Sequence, residues 1–197
     1  MSAAGLNLRE VDATVIGASW GGVELLLELM PALPPACRAA FFIVIHIPRE
    51  EPSLLPELFG GCCALPVKEA EDKEPARPGT VYFAPPDYHL LVERGPAIAL
   101  SSDEPVHFSR PSIDVLFDSA ADAYGPRLLG LILTGANQDG ADGLMAVGRA
   151  GGRTVVQDPA SAAVSTLPEA ALSRGPVDCV LDREQLRELF SRWPARE

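Results

Sequence analysis

Short apolar runs alternate along the chain with stretches whose apolar positions recur at helical spacing. The runs have the length of β-strands and are almost entirely apolar, as expected for strands that are covered on both faces. Predicted strands span residues 13–16, 40–45, 81–84, 127–133, 154–157 and 177–181. Predicted helices lie around residues 23–30, 54–59, 113–124, 144–147, 166–175 and 183–193, and the charged, proline-bearing segment 69–78 is predicted to be a loop.

This order of elements predicts an α/β fold with a doubly wound, mostly parallel sheet and helices on both of its faces. Two further apolar runs, 90–93 and 97–100, flank an Arg-Gly-Pro turn and predict a hairpin at an antiparallel edge. Thr166 with Glu169 and Asp182 with Gln185 have the spacing of helix-capping boxes. We expect one domain over residues 12–197, preceded by an N-terminal tail over residues 1–11.

Composition narrows the choice of partners and compartment. The chain has 197 residues, of which 47% are hydrophobic, and this is enough for one substantial core. The net charge of −11 and the lack of a Lys/Arg block argue against nucleic acid and anionic membranes as partners. No signal peptide or membrane-spanning stretch is evident, and the four cysteines lack paired metal-binding spacing. We therefore expect a cytoplasmic protein with reduced thiols and no structural zinc.

The turn after the first predicted strand contains a serine among glycines. The segment GASWG, residues 17–21, matches the G-x-S-x-G pattern of a nucleophile elbow, with Ser19 at its centre. A strand-to-helix turn of this kind exposes the hydroxyl and presents the free N–H groups of the following helix. Three interpretations stay open for this stretch alone: a nucleophile, a phosphate-binding loop and a closely packed turn.

Three polar residues follow predicted strands at positions where a parallel sheet gathers its functional groups. They are Ser19 after the first strand, His46 after the second, and Asp139 in the loop after the strand at 127–133. A serine needs an imidazole to take its proton, and the imidazole needs a carboxylate to fix its tautomer. A structural histidine and an Asp-Gly turn are the alternatives, but the shared topological position favours a catalytic triad. The order Ser, His, Asp differs from the Ser, Asp, His order of α/β-hydrolases.

Five motifs together identify a family resemblance. The segments IGASWGG (16–22), VIHIP (44–48), FAPPDYH (83–89), RPSIDVLF (110–117) and LTGANQDGA (133–141) resemble the catalytic domain of CheB-type protein-glutamate methylesterases, over about residues 12–186. The resemblance implies a cytoplasmic enzyme that hydrolyses γ-glutamyl methyl esters on chemoreceptor helices, and in many members also deamidates receptor glutamines. It implies a Ser19, His46 and Asp139 triad without metal or organic cofactor.

The resemblance also implies substrate and oxyanion residues. His89 matches a further active-site histidine, with a loop histidine bonded to backbone as the alternative. Trp20 stands where the family commonly has a small residue or threonine, and Ala136 where it commonly has methionine. A backbone N–H is independent of the side chain, so we expect Trp20 and Gly21 still to serve an oxyanion hole. The two departures affect substrate preference more than chemistry.

Other functions remain as alternatives. One is a non-catalytic or differently specific signalling or binding module of the same fold. The intact Ser/His/Asp set argues against a purely non-catalytic scaffold, which has no physical need for all three residues. A nucleotide-binding protein is disfavoured because the loop lacks both the Lys-Ser/Thr of a P-loop and a clean G-x-G-x-x-G. Chemotaxis members usually begin with a receiver domain, whereas about a dozen residues precede the first strand here, so we expect either a stand-alone catalytic domain or the catalytic part of a longer protein. The sequence leaves the oligomeric state undetermined.

Overall fold

A seven-stranded, all-parallel sheet forms the centre of the protein. The computed structural model describes residues 5–46, 53–95 and 97–194. The strands are β1 (Ala13–Ala18), β2 (Ala40–Ile45), β3 (Val67–Glu69), β4 (Val81–Phe83), β7 (Leu128–Ile132), β8 (Arg153–Gln157) and β9 (Cys179–Leu181), and a separate two-stranded sheet consists of β5 (His89–Glu93) and β6 (Ala97–Ser101). The order across the large sheet is β3-β4-β2-β1-β7-β8-β9.

Helices cover both faces of this sheet. They are α1 (Gly22–Leu29), α2 (Leu55–Gly60), α3 (Ile113–Tyr124), α4 (Ala141–Arg149), α5 (Thr166–Arg174) and α6 (Arg183–Ser191). α1, α2 and α6 pack on one face, and α3, α4, α5 and the β5–β6 hairpin pack on the other. Alternate residues of one strand enter opposite cores: Ile16 and Ala18 belong to the first, and Ala13 and Val15 to the second. The predicted doubly wound α/β fold is confirmed.

The strand order creates one crevice at the carboxyl edge of the sheet. β1 lies between β2 and β7, with Ala18 opposite Ile45 and Gly17 opposite Ile132. The chain leaves β1 through α1 toward β2 on one side, and it returns through α3 to β7 on the other. Such a reversal of direction separates the loops that follow the two neighbouring strands, and ligands of open α/β sheets bind there.

Some local predictions differ from the structure. β3 was not predicted because its three residues are half-buried and two of them are charged, so the segment lacks an apolar run. The hairpin is antiparallel as predicted, but it forms its own sheet and packs against α3 rather than extending the large sheet. The capping box predicted at Thr166 is wrong: Ser165 is the N-cap and makes no side-chain capping bond. The box predicted at Asp182 is present, with Gln185 as its partner.

The residues before β1 are packed rather than extended. Within the expected tail, Leu8–Glu10 forms a 3₁₀ turn, and the Leu6 and Leu8 side chains are buried in the first core. Apolar burial of two leucines explains why this segment lies against the domain. Within the described residues, no helix has the length and apolar character needed to cross a membrane.

Candidate active site

Ser19 lies in a tight turn between the end of β1 and the start of α1. Its backbone N–H donates to the Thr134 carbonyl at 3.0 Å, and its own carbonyl accepts the Gly22 N–H at 2.9 Å. Gly21 adopts φ +79°, and a Cβ there would lie 2.7 Å from the Ala163 Cβ. Only glycine tolerates both that backbone angle and that approach. The glycines of the motif therefore hold Ser19 at the carboxyl edge of the sheet.

The same turn leaves two backbone donors free. The bonds that hold it use the N–H groups of Ser19 and Gly22, and those of Trp20 and Gly21 have no acceptor among the described residues. Both residues line the cleft that contains Ser19. Free N–H groups at the start of a helix attract negative charge, so this turn can stabilise an oxyanion.

His46 is the first residue after β2, next to β1 in the sheet. Its backbone N–H donates to the Ala18 carbonyl at 3.2 Å, which fixes the ring beside the end of β1. The ring Nε2 lies 2.8 Å from Asp139 Oδ2, and the ring Nδ1 lies 3.0 Å from Asn137 Nδ2. The structure has no hydrogen bond between Ser19 and His46, both of which it describes, although both line the same cleft.

Asp139 is fully buried and is surrounded by hydrogen-bond donors. Besides His46, the Ser112 hydroxyl donates to Oδ1 at 2.7 Å, the Ile113 N–H to Oδ2 at 2.7 Å and the Asp114 N–H to Oδ1 at 3.2 Å. Three of these donors belong to the first turn of α3, whose N-cap is Ser112. Burial alone would raise the pKa of Asp139, but the bonds from His46, Ser112 and Ile113 outweigh it and lower the pKa. The carboxyl group is therefore ionised at neutral pH.

A second buried carboxyl group lies behind Asp139. Asp114 Oδ1 accepts the Gly143 N–H at 2.6 Å. Burial raises the pKa of Asp114 to about 6; the Gly143 bond opposes this shift and the charge of Asp139 adds to it. Burial thus raises the pKa of Asp114, whereas hydrogen bonds lower that of Asp139. When only one of the two neighbouring acids is ionised, it is Asp139.

His89 lies under this network rather than in the cleft. It is buried, its Nδ1 accepts the Ser112 N–H at 3.1 Å, and its Nε2 donates to the Glu104 carbonyl at 3.2 Å. These contacts match the backbone-bonded alternative that the sequence left open. They also connect His89 to Asp139 through Ser112, whose backbone N–H donates to His89 and whose hydroxyl donates to Asp139.

The cleft beside Ser19 has a volume of about 410 Å³. Its walls combine apolar Val23, Leu25 and Ile45 with charged Glu24 and Arg183. Trp20 is 72% exposed, so this large side chain stands at the rim and does not fill the cleft. Ala136 is exposed and does not line the cleft. The described cleft is thus bordered by the predicted Ser19, Trp20, Gly21 and His46, and not by His89 or Ala136.

Three further residues of this site were not singled out from the sequence. Ser112 contacts Asp139 and Asn137 contacts His46. Gln157 accepts the Thr134 N–H at 2.8 Å and so supports the loop after β7. A serine directly before an amphipathic helix is a recognisable N-cap signal. Asn137 and Gln157 had no comparable signal, because their contacts depend on strands far apart in the chain.

One group of described residues has ligand atoms at the spacing of a metal site. Ligand atoms of His107, Asp114 and Asp142 lie within 4.8 Å of one another. None of the three lines the cleft. Asp142 also pairs with Arg174 at 3.0 Å, which already balances its charge. These three groups therefore lie outside the cleft that contains Ser19 and His46.

Comparisons with known proteins show the family to which this fold belongs. The family model described as CheB methylesterase matches residues 14–190. A protein of Leptospira interrogans is 44% identical over 181 residues, covering 92% of this chain and 94% of its own length. A protein-glutamate methylesterase/protein-glutamine glutaminase of Bordetella parapertussis is 41% identical over 195 residues, and the chain spans 55% of it.

A solved structure shares the fold over most of the chain. The crystal structure of the Thermotoga maritima CheB methylesterase catalytic domain superposes with a TM-score of 0.87 at 33% identity, covering 91% of this chain and 97% of that one. Sequence motifs, strand order and site geometry therefore lead to the same assignment. The chain belongs to the CheB methylesterase family.

Proposed function

We propose that this chain is a protein-glutamate methylesterase that hydrolyses γ-glutamyl methyl esters, with Ser19 as nucleophile, His46 as general base and Asp139 as the orienting carboxylate. The observation that carries the proposal is their position after the carboxyl ends of β1, β2 and β7, with a 2.8 Å bond between His46 and the buried Asp139. Relatives of this family carry methylesterase in their names, which supports the ester chemistry.

The assignment of ring nitrogens follows from Asp139. An ionised carboxylate only accepts hydrogen bonds, so the neutral His46 ring carries its proton on Nε2 and keeps its lone pair on Nδ1. Nδ1 is therefore the atom that takes the Ser19 proton when the hydroxyl oxygen attacks the ester carbonyl. The resulting imidazolium is stabilised by Asp139 through Nε2.

The remaining steps use the turn after β1. The tetrahedral oxyanion accepts bonds from the N–H groups of Trp20 and Gly21, and removal of one such donor typically costs about 10²–10³ in rate. Methanol leaves with the proton held on His46 Nδ1. Water then attacks the acyl-enzyme with His46 again as base, which regenerates Ser19 and releases the glutamate.

Two predicted residues take indirect roles in this proposal. His89 acts as a positioning residue. Its ring accepts the Ser112 backbone N–H, and the hydroxyl of the same serine donates to Asp139. Ala136 is exposed on the loop after β7, beyond the cleft, and we assign it to contact with a substrate larger than the cleft. A helical protein segment has that extent.

The substrate and compartment belong to the same proposal. The methylated cytoplasmic helices of chemoreceptors are the protein substrate, and the enzyme works in the cytoplasm where those helices lie. Glutaminase in the names of relatives supports deamidation of receptor glutamines by the same serine chemistry. A net charge of −11 disfavours binding to nucleic acid and insertion into anionic membranes.

Methanol release from a methylated receptor fragment tests the proposal. We expect release by the wild type, none by Ser19→Ala, and wild-type release by Ser173→Ala, a matched change at an exposed serine on α5. Saturable binding of the fragment without methanol release would favour a signalling module. A nucleotide-dependent rise in melting temperature would favour the phosphate-binding alternative.

A further inference from the structure

Asn137 hydrogen-bonds to His46 Nδ1, the ring nitrogen that takes the Ser19 proton in the proposed mechanism. Its Nδ2 lies 3.0 Å from His46 Nδ1, whereas Ser19 makes no hydrogen bond to that ring within the described part of the chain. The lone pair on Nδ1 has one direction in the ring plane, so it accepts one good hydrogen bond at a time. A donor already placed there competes with the serine hydroxyl.

The orientation of the Asn137 amide is determined by its second contact. Oδ1 accepts the Asp139 backbone N–H at 3.3 Å, which turns Nδ2 toward His46. The same Nδ2 also lies 3.4 Å from the Ser109 hydroxyl. A rotated amide would place an oxygen against the Nδ1 lone pair and a nitrogen against an N–H donor, which is unfavourable at both ends.

We propose that Asn137 is a positioning residue that holds His46 in a resting state by donating to Nδ1, and that the Ser19 hydroxyl must displace this amide before it can react. The inference rests on the proposed function, because it concerns the same base. On arrival of the proton at Nδ1, the nitrogen becomes a donor and the Asn137 amide nitrogen can no longer bond to it. Asn137 therefore stabilises the neutral, unreacted ring and not the imidazolium.

The reaction of Ser19 with phenylmethylsulfonyl fluoride tests this exchange. The serine oxygen forms a bond to sulfur, the sulfur–fluorine bond breaks, fluoride leaves, and the hydroxyl proton passes to His46 Nδ1. Asn137→Ala removes the competing donor. It should raise the rate of Ser19 labelling, measured where the rate no longer changes with pH, about three- to tenfold, which corresponds to the free energy of one ordinary hydrogen bond. Gln138→Ala, a neighbouring change at an exposed side chain, should label at the wild-type rate.

The pH profile separates this role from a merely structural one. The described charged groups around the ring are Asp139 at Nε2, Asp114 behind it, and Glu24 and Arg183 in the cleft, and all are unchanged in the variants. Asn137→Ala removes a bond to the neutral ring, so the acid limb of labelling should move to higher pH. Asn137→Asp should move it further, because a carboxylate at this position favours the imidazolium.

A spectroscopic measurement tests the contact without any reaction. The chain has three histidines, so long-range ¹H–¹⁵N spectra can be assigned with single substitutions. We expect His46 protonated on Nε2, with a Nδ1 resonance that shifts in Asn137→Ala and stays in Gln138→Ala. Protonation on Nδ1 in the wild type, or an Asn137→Ala labelling rate at or below wild type with folding intact, would overturn the inference. Absence of Ser19 labelling in every form would overturn the proposed function and this inference with it.

Discussion

Replacement of Asp139 by asparagine separates the negative charge of the proposed triad carboxylate from its hydrogen bonds. All four groups around the carboxylate are donors: His46 and Ile113 face Oδ2, and Ser112 and Asp114 face Oδ1. An amide nitrogen must therefore face two donors in either orientation. An amide nitrogen in place of Oδ2 would disrupt the hydrogen bond with His46 and leave the Ile113 N–H without an acceptor. At Oδ1 it faces a Ser112 hydroxyl that can rotate to accept, and only the longer Asp114 bond is lost.

The second orientation is favoured, and it preserves the His46 tautomer. Loss of turnover in Asp139→Asn then comes from the missing negative charge beside the imidazolium. Two unit charges about 4 Å apart interact by about 4 kcal/mol at an effective dielectric constant of 20, or about 10³-fold in rate. This is less than the drop of about 10⁴ that accompanies a wrong tautomer in a serine protease.

Stability provides a second measurement on the same variant. One unsatisfied buried N–H should cost about 1–3 kcal/mol of unfolding free energy at pH 7. The lowered pKa of Asp139 means that its ionised form stabilises the wild type above the pKa of the unfolded chain, and that this stability is lost as pH falls through the folded pKa. The difference between wild type and variant should therefore shrink in acid.

Urea unfolding at several pH values and turnover with a methylated receptor fragment are the assays. Near-native turnover of Asp139→Asn would refute the role of this carboxylate. A loss of 10⁴ or more, with His46 protonated on Nδ1, would instead refute the argument about the amide orientation.

Three further substitutions have expected outcomes. Gly21→Ala should destabilise the protein by about 1–3 kcal/mol because alanine is strained at φ +79°. The control Gly60→Ala should not destabilise it, because a Cβ there meets nothing within 4 Å. Equal melting temperatures of the two variants would contradict this. Burial raises the pKa of Asp114 to about 6, so the wild type should lose about 3 kcal/mol of unfolding free energy as pH rises from about 4 through about 6. Asp114→Asn should not show this loss. Parallel curves of unfolding free energy against pH for the two proteins would disprove it. Ser112→Ala removes a donor to Asp139 and should lower turnover about tenfold, and an unchanged rate would show that the backbone donors suffice.

The hydrophobic pattern is sufficient to predict most helices and strands. It also predicts where the three strands before Ser19, His46 and Asp139 end. Fully apolar runs require cover on both faces, which dictates a parallel α/β sheet, and parallel strands bring their carboxyl ends to one edge. Ser19, His46 and Asp139 follow such strands, so their proximity could be inferred from local sequence. β3 could not, since Lys68 and Glu69 obscure an edge strand that pairs on one side with β4.

Tertiary structure alone determined which atoms meet within the site. The choice of His46 Nε2 for Asp139 depends on the position of β2 relative to the loop after β7. The ionisation of Asp139 depends on the bond from His46 and on those from the start of α3. The position of Asn137 on the other ring nitrogen depends on the same loop. Each contact joins residues that are distant in sequence, and its geometry follows from packing to within a few tenths of an ångström. Residue type and spacing predict which groups gather at an edge, but not which lone pair receives which proton.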